Sequence, residues 1–163
     1  PGPRARWRAG AVVGGTSAGA AVMSTPMITG DERRRGGARP PADSSQIFIT
    51  IDRDNVVTTD GFGYVTDVVI DQHFVRRKRH NRPVSLVLEG PVRLGAGIDE
   101  STALVIAPDG TWRVAGASVV VVYDAREARI APEGTPLSGT GVRMHVLPAG
   151  GRFDPRSGLA TLP

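Results

Sequence analysis

Ala11-Val12-Val13-Gly14-Gly15-Thr16-Ser17-Ala18-Gly19-Ala20-Ala21-Val22-Met23 decides how this chain is read. A short apolar run ends at two glycines, and small helix formers follow from Ala18 to Met23. The order is strand, tight turn, helix. Within the bend, Gly15-Thr16-Ser17-Ala18-Gly19 is a Gly-x-Ser-x-Gly turn, which holds a serine on a sharp corner with its hydroxyl exposed while small neighbours avoid backbone clashes. The N-H groups of a helix beginning there would help stabilise developing negative charge. The same residues also suit a plain structural turn in which Ser17 only caps the helix. Partners for the serine decide between the two.

Outward from this turn, the segment 31–45 is polar and rich in Arg, Gly and Pro, and is expected to be a mobile surface loop. Its Arg33-Arg34-Arg35 run reads first as a solvated face. The first ten residues, PGPRARWRAG, read as a loop or a cut end. Gln46 to Ile51 alternates like a strand, and Thr66 to Ile70 is β-branched and apolar. This second strand delivers Asp71, Gln72 and His73 at its carboxyl end. Arg76 to Arg82 reads as a separate helical turn, and Pro83 suits the first turn of a helix running to about Glu89. Gly95 to Ile98 leads into Asp99-Glu100. Leu104 to Ala107 and Thr111 to Ala115, joined by Pro108-Asp109-Gly110, read as a hairpin. Val119 to Tyr123 is a buried strand and Val142 to Leu147 an edge strand. Strands and helices alternate first and strands alone follow, so the expected fold class is α/β, a mostly parallel sheet with an antiparallel C-terminal extension, in one domain over residues 1–163.

Composition narrows the function classes. The 163 residues are 40% hydrophobic, enough for one core. Basic residues outnumber acidic ones, 20 to 16, and all but Lys78 are arginine. Arginine meets carboxylate or phosphate with a two-pronged fork, which points to an anionic ligand. Nucleic acid would suit the charge, but 5% aromatic content offers few stacking rings and no nucleic-acid signature is present, so no nucleic-acid partner is expected. The absence of cysteine removes disulfides, thiolate nucleophiles and Cys-type zinc sites. No apolar run approaches the roughly 18 residues of a membrane span. No metal or other cofactor is expected.

A serine nucleophile needs a base, and the three histidines are His73, His80 and His145. His73 follows a strand and can project from the same sheet edge as Ser17. His80 lies among cationic residues and His145 alternates in a late strand, so both read as surface or packed residues. Either Asp99 or Glu100 could orient the imidazole. The chain order Ser, His, acid differs from the Ser, acid, His order of ordinary α/β-hydrolases, which implies a different hydrolase family.

Three stretches in sequence, GGTSAGAAVMSTPMI from Gly14, IDQHFVRRKRHNR from Ile70 and GAGIDESTALVI from Gly95, together resemble the cyanophycinases. These are serine peptidases of the same superfamily as the aspartyl dipeptidase called peptidase E. The resemblance covers roughly Ala11 to Asp124. It implies a flavodoxin-like or class I glutamine-amidotransferase-like sheet, and hydrolysis of cyanophycin, a poly-aspartate backbone bearing arginines, to β-Asp-Arg dipeptides. It further implies Ser17 as nucleophile, His73 as base and Glu100 as orienting acid, with Asp71, Gln72, Arg77, Arg79 and Arg82 lining the substrate pocket. A homodimer and a cytoplasmic location are expected on the same ground, with secretion left open. Two departures stand out: Pro83 replaces the leucine of many relatives, which would displace Arg82, and the family's portion before the serine turn is absent, which makes this the C-terminal part of a catalytic domain. Other readings are an aspartyl or isoaspartyl dipeptidase of the peptidase E type and a truncated, non-catalytic relative.

Overall fold

Val120 and Val122 face one side of their strand, Val121 and Tyr123 the other, and all four are buried. A sheet built around such a strand must be covered on both faces. In the computed structural model, which describes residues 2–39, 42–43 and 46–163, that strand is β7 (Val119–Asp124). It lies inside a four-stranded sheet with β3 (Val69–Gln72), β4 (Leu94–Ile98) and β10 (Arg143–Pro148), in the order β10, β7, β4, β3. A second sheet orders β12 (Leu159–Thr161), β11 (Arg152–Asp154), β6 (Trp112–Gly116) and β5 (Thr102–Ile106).

The main core lies between these sheets. Ile70, Leu94, Ala96, Val120, Val122 and Leu147 from the first meet Trp112, Val114 and Phe153 from the second. The opposite face is covered by α3 (Asn81–Glu89), whose Leu86 packs with Val69 and whose Val87 packs with Phe74, Val121 and Tyr123. The glycines of β4 permit this closeness. A Cβ on Gly95 would press on Pro83 and Val87, and one on Gly97 would enter the Phe74 ring.

β3 and β4 pair in parallel, Val69 opposite Gly95 through Gln72 opposite Ile98, because α3 carries the chain back across the face between them. β4 and β7 pair antiparallel, as do β7 and β10. β10 is the edge strand that the alternation of Val142 to Leu147 predicts. The expected hairpin forms as β5 and β6, with Ile106 opposite Trp112. Two further antiparallel pairs were not foreseen: β1 (Met27–Glu32) with β2 (Val56–Thr59), which lies beside α3 and β3, and the short β8 (Arg129–Ile130) with β9 (Gly139–Thr140).

Several expectations are corrected. The fold is α/β, but its sheets are mixed and mostly antiparallel: β3 with β4 is the one parallel strand pair among the described residues, joined by a lone parallel bridge between Ser24 and Val65. Short turns join β5 to β6 and β11 to β12, and a short turn can only reverse a strand; β4, β7 and β10 pair antiparallel across longer connections. Ala11 to Val13 is not a strand. Val12 is 97% exposed, since three apolar residues without a neighbouring ladder gain nothing from extension. The opening residues hold a helix, α1 (Pro3–Arg8), with Pro3 at its start. The helix after Ser17 is shorter than expected, one turn as α2 (Ala18–Ala21). Gln46 to Ile51 is not a strand either. Phe48 takes a positive φ of 53°, turning its ring into the core against Val69 and Leu86, while the Glu32 carboxylate accepts its N-H at 2.8 Å. Within the polar segment, Asp31 and Glu32 close β1 and residues 35–37 form a 3-10 turn; positions 40, 41, 44 and 45 lie outside the described residues.

Candidate active site

Ser17 sits where the chain turns into α2, with φ 54° and ψ −124°. A non-glycine residue is rarely found there, at a cost on the order of 1–3 kcal/mol. The bend closes because Gly15 has no side chain: a Cβ there would collide with the Gly19 carbonyl. Ser17 is formally the N-cap of α2, yet its hydroxyl makes no capping hydrogen bond. Its Oγ lies 2.9 Å from Nε2 of His73 instead. The capping reading therefore does not describe this serine.

His73 follows β3 directly. Its φ of 51° swings the chain out of the strand, and the turn after it closes through the Arg77 N-H on the His73 carbonyl at 2.9 Å. Nδ1 of His73 lies 3.1 Å from Oε1 of Glu100. Serine, imidazole and carboxylate are thus in line, with His73 bridging two loops at the carboxyl ends of the parallel strands β3 and β4. The His73 side chain is 26% exposed and that of Glu100 44%, so the row of groups opens to solvent.

The residues alone left Asp99 and Glu100 open and the resemblance implied Glu100; in the structure the two carboxylates meet different partners. Glu100 meets the imidazole. Asp99 Oδ1 accepts the Arg76 N-H at 2.9 Å and Oδ2 accepts the Ser118 hydroxyl at 2.7 Å. Burial pushes the Asp99 carboxyl up, but the hydrogen bonds from Arg76 and Ser118 outweigh it and hold the group below its ordinary range. His80 and His145 lie apart from the serine. His80 shares a 2.6 Å hydrogen bond with the Tyr123 hydroxyl and stacks edge-on against Phe74, and His145 packs on Phe153.

The five residues expected around the substrate divide into two groups. Asp71 and Arg82 are 1% and 3% exposed. They form a forked ion pair, Nε to Oδ2 at 2.8 Å and Nη2 to Oδ1, and the guanidinium also lies 5.1 Å over the Phe48 ring. This pair ties β3 to α3 and presents no open face. Pro83 does not displace Arg82 from it, because both fit the first turn of α3. Gln72, Arg77 and Arg79 are more accessible. Arg79 donates to the Gln72 carbonyl at 2.8 Å and stands 3.8 Å from Asp71. Burial, with the neighbouring Arg82 charge, pushes its pKa down from the ordinary value. The Gln72 side-chain oxygen is buried without a partner among the described residues, while Arg77 is exposed. The roles of Ser118 and Tyr123 carried no sequence signal, since each contact joins residues far apart along the chain.

No helix among the described residues is long and apolar enough to cross a membrane. No family model matches the chain. Among curated proteins, it is 33% identical over 156 residues to a cyanophycinase of Synechococcus elongatus, a match taking in 93% of this chain and 44% of that protein. It is 38% identical over 156 residues to the cyanophycinase of Trichormus variabilis, covering 92% and 48%. With the cyanophycinase of Geminocystis herdmanii it shares 34% over 148 residues, covering 87% and 49%. The chain spans about half the length of the curated relatives it matches. The resemblance first read from three short motifs thus extends along nearly the whole chain, which is similar to about half of a cyanophycinase.

Proposed function

We propose that this chain carries the catalytic residues of a serine peptidase that hydrolyses cyanophycin to β-Asp-Arg dipeptides. The observation that carries this reading is the single line Ser17 Oγ, His73 Nε2 and Nδ1, Glu100 Oε1, with separations of 2.9 and 3.1 Å. In this mechanism Ser17 Oγ attacks an aspartyl backbone carbonyl as its proton passes to His73 Nε2. Glu100 holds the Nδ1 proton and steadies the imidazolium. Collapse of the tetrahedral intermediate sends the proton on Nε2 to the departing amine and leaves an acyl-enzyme, which water hydrolyses by the same relay in reverse. The N-H of Ala18, next after the nucleophile, is a donor for the oxyanion.

For the substrate, Gln72, Arg77 and Arg79 are the contacts with the carboxyl-derived groups of the polymer. Asp71 and Arg82 act from behind, holding β3 against α3. In this reading residues 1–163 are the C-terminal part of one catalytic domain, and the parallel β3 and β4 with α3 are its share of a flavodoxin-like, glutamine-amidotransferase-like sheet. The intact protein is a cytoplasmic homodimer. The test is incubation of cyanophycin with the intact protein and its Ser17→Ala variant. Dipeptide release by the first and not the second is expected, and equal release by both would refute the mechanism. A panel of aspartyl and isoaspartyl dipeptides run beside the polymer separates this substrate from that of a dipeptidase.

A further inference from the structure

The triad residues stand on three separate segments, and the two loops that bear His73 and Glu100 are joined by a side chain that touches neither reacting group. Asp99 precedes Glu100, and its Oδ1 accepts the backbone N-H of Arg76 at 2.9 Å, three residues past His73. Its Oδ2 accepts the Ser118 hydroxyl at 2.7 Å, and its own N-H reaches the Val119 carbonyl at 3.2 Å. Ser118 is itself held, because its N-H donates to Thr102 Oγ1 at 2.9 Å, and Thr102 Oγ1 donates to the Glu100 carbonyl at 3.1 Å. The Ser101 carbonyl accepts the Ala117 N-H at 2.9 Å. The loop carrying the acid is therefore fastened to the start of β7 at several points and to the histidine loop through Asp99.

We infer that Asp99 is a positioning residue, whose carboxylate sets the spacing of the His73 and Glu100 loops and so the alignment of the triad. The inference rests on the serine mechanism proposed above. Without this brace, the spacing of the two loops would rest on the Phe74 N-H to Ile98 carbonyl hydrogen bond at 3.2 Å and on the 3.1 Å contact of His73 with the half-exposed Glu100. A positive φ at His73 and at Ser101 leaves both loops in conformations that need outside support. A shift of about 1 Å in a catalytic group costs on the order of 100-fold in rate. The geometry asks for two hydrogen-bonding positions of defined direction, one of them an acceptor for the Arg76 N-H and the other a partner for the Ser118 hydroxyl, rather than for charge. Asparagine supplies one acceptor for the Arg76 N-H and an amide N-H for the Ser118 oxygen, so it can replace aspartate.

The test compares Asp99→Ala, Asp99→Asn and Ser118→Ala in the intact protein with the parent and with Ser17→Ala, on cyanophycin. Competent sites are counted by fluorophosphonate labelling so that turnover is expressed per folded molecule. Asp99→Ala is expected to lower kcat by about 10-fold to 100-fold with KM nearly unchanged, and Asp99→Asn to recover most of it. Ser118→Ala, which frees one carboxylate oxygen, is expected to fall between them. Unchanged kcat per labelled site in Asp99→Ala, or equal loss in Asp99→Asn and Asp99→Ala, would overturn the inference. If Asp99→Ala does not fold, parent-like kcat in Ser118→Ala or strong loss in Asp99→Asn overturns it by itself. Full activity in Ser17→Ala would instead show that the underlying serine mechanism is wrong.

Discussion

Ser17 Oγ and His73 Nε2 stand 2.9 Å apart across 56 residues of chain. Nothing local brings them together. The contact exists because β3 ends at the turn that bears His73, and because the Ser24 hydroxyl, one turn beyond α2, accepts the Ile70 N-H of β3 at 3.4 Å. Ser24 is fully buried and also donates to the carbonyls of Ala21 and Pro26 at 3.0 Å. The serine turn is thereby moored to the strand that leads into His73.

That mooring works only if the bend itself stays closed. Gly15→Ala would drive a methyl group into the Gly19 carbonyl, and backbone cannot move aside as a flexible side chain can. A loss of about 1–3 kcal/mol in stability is expected from such overpacking, together with displacement of Ser17. Thermal denaturation and fluorophosphonate labelling measure the two effects. Gly14→Ala, where a Cβ meets nothing within 4 Å, is the control and should leave both nearly unchanged.

The buried fork between Arg82 and Asp71 predicts a different outcome from a substrate-contact role. Arg82→Ala leaves the Asp71 carboxylate nearly fully buried without its main partner, a change that typically costs roughly 3–5 kcal/mol. The melting temperature should fall steeply. Arg77→Ala, at an exposed position, should leave the melting temperature nearly unchanged and raise KM for the polymer. The same result for both variants would contradict the separation into a brace and a contact.

Acid should loosen the sheet end near Asp124. Hydrogen bonds from Arg126, at 2.8 and 2.7 Å, hold this carboxyl below its ordinary range against the upward push of burial. A carboxyl with a lower pKa folded than unfolded contributes stability that is complete above its unfolded value of about 3.9. That contribution is lost as pH falls through the folded value. Asp124→Asn should therefore melt well below the parent at neutral pH, with the gap closing as pH falls below about 4. A gap that does not change with pH would contradict this assignment.

How much of this was visible in the chain alone depends on the range of each interaction. Glu100 was preferred to Asp99 only by the resemblance to the cyanophycinases, while Ser17 and His73 could be read as candidates because each lies in a motif whose local chemistry is written in neighbouring residues. The helix beginning near Pro83 and the hairpin around Pro108-Asp109-Gly110 were legible for the same reason. Val13 and Ile49 misled, since an apolar run announces a strand only when a neighbour exists to pair with it, and pairing is not a local property. The buried positions of Asp71 and Arg82 were hidden too. A motif shows that acid and guanidinium recur together, but not that they bond to each other with Phe48 above them. Asp99 and Glu100, adjacent in sequence and alike in charge, differ in the fold by which way each carboxylate points, and nothing in the residues themselves shows that.

The most direct test of the central claim is chemical labelling of the nucleophile. The intact protein is treated with a fluorophosphonate, digested, and the modified residue located by mass spectrometry, alongside Ser17→Ala and His73→Ala. The label should map to Ser17, be absent from Ser17→Ala, and form at least about 100-fold more slowly in His73→Ala, where no base takes the proton. Modification at another residue, or labelling of Ser17 at an equal rate without His73, would contradict the account.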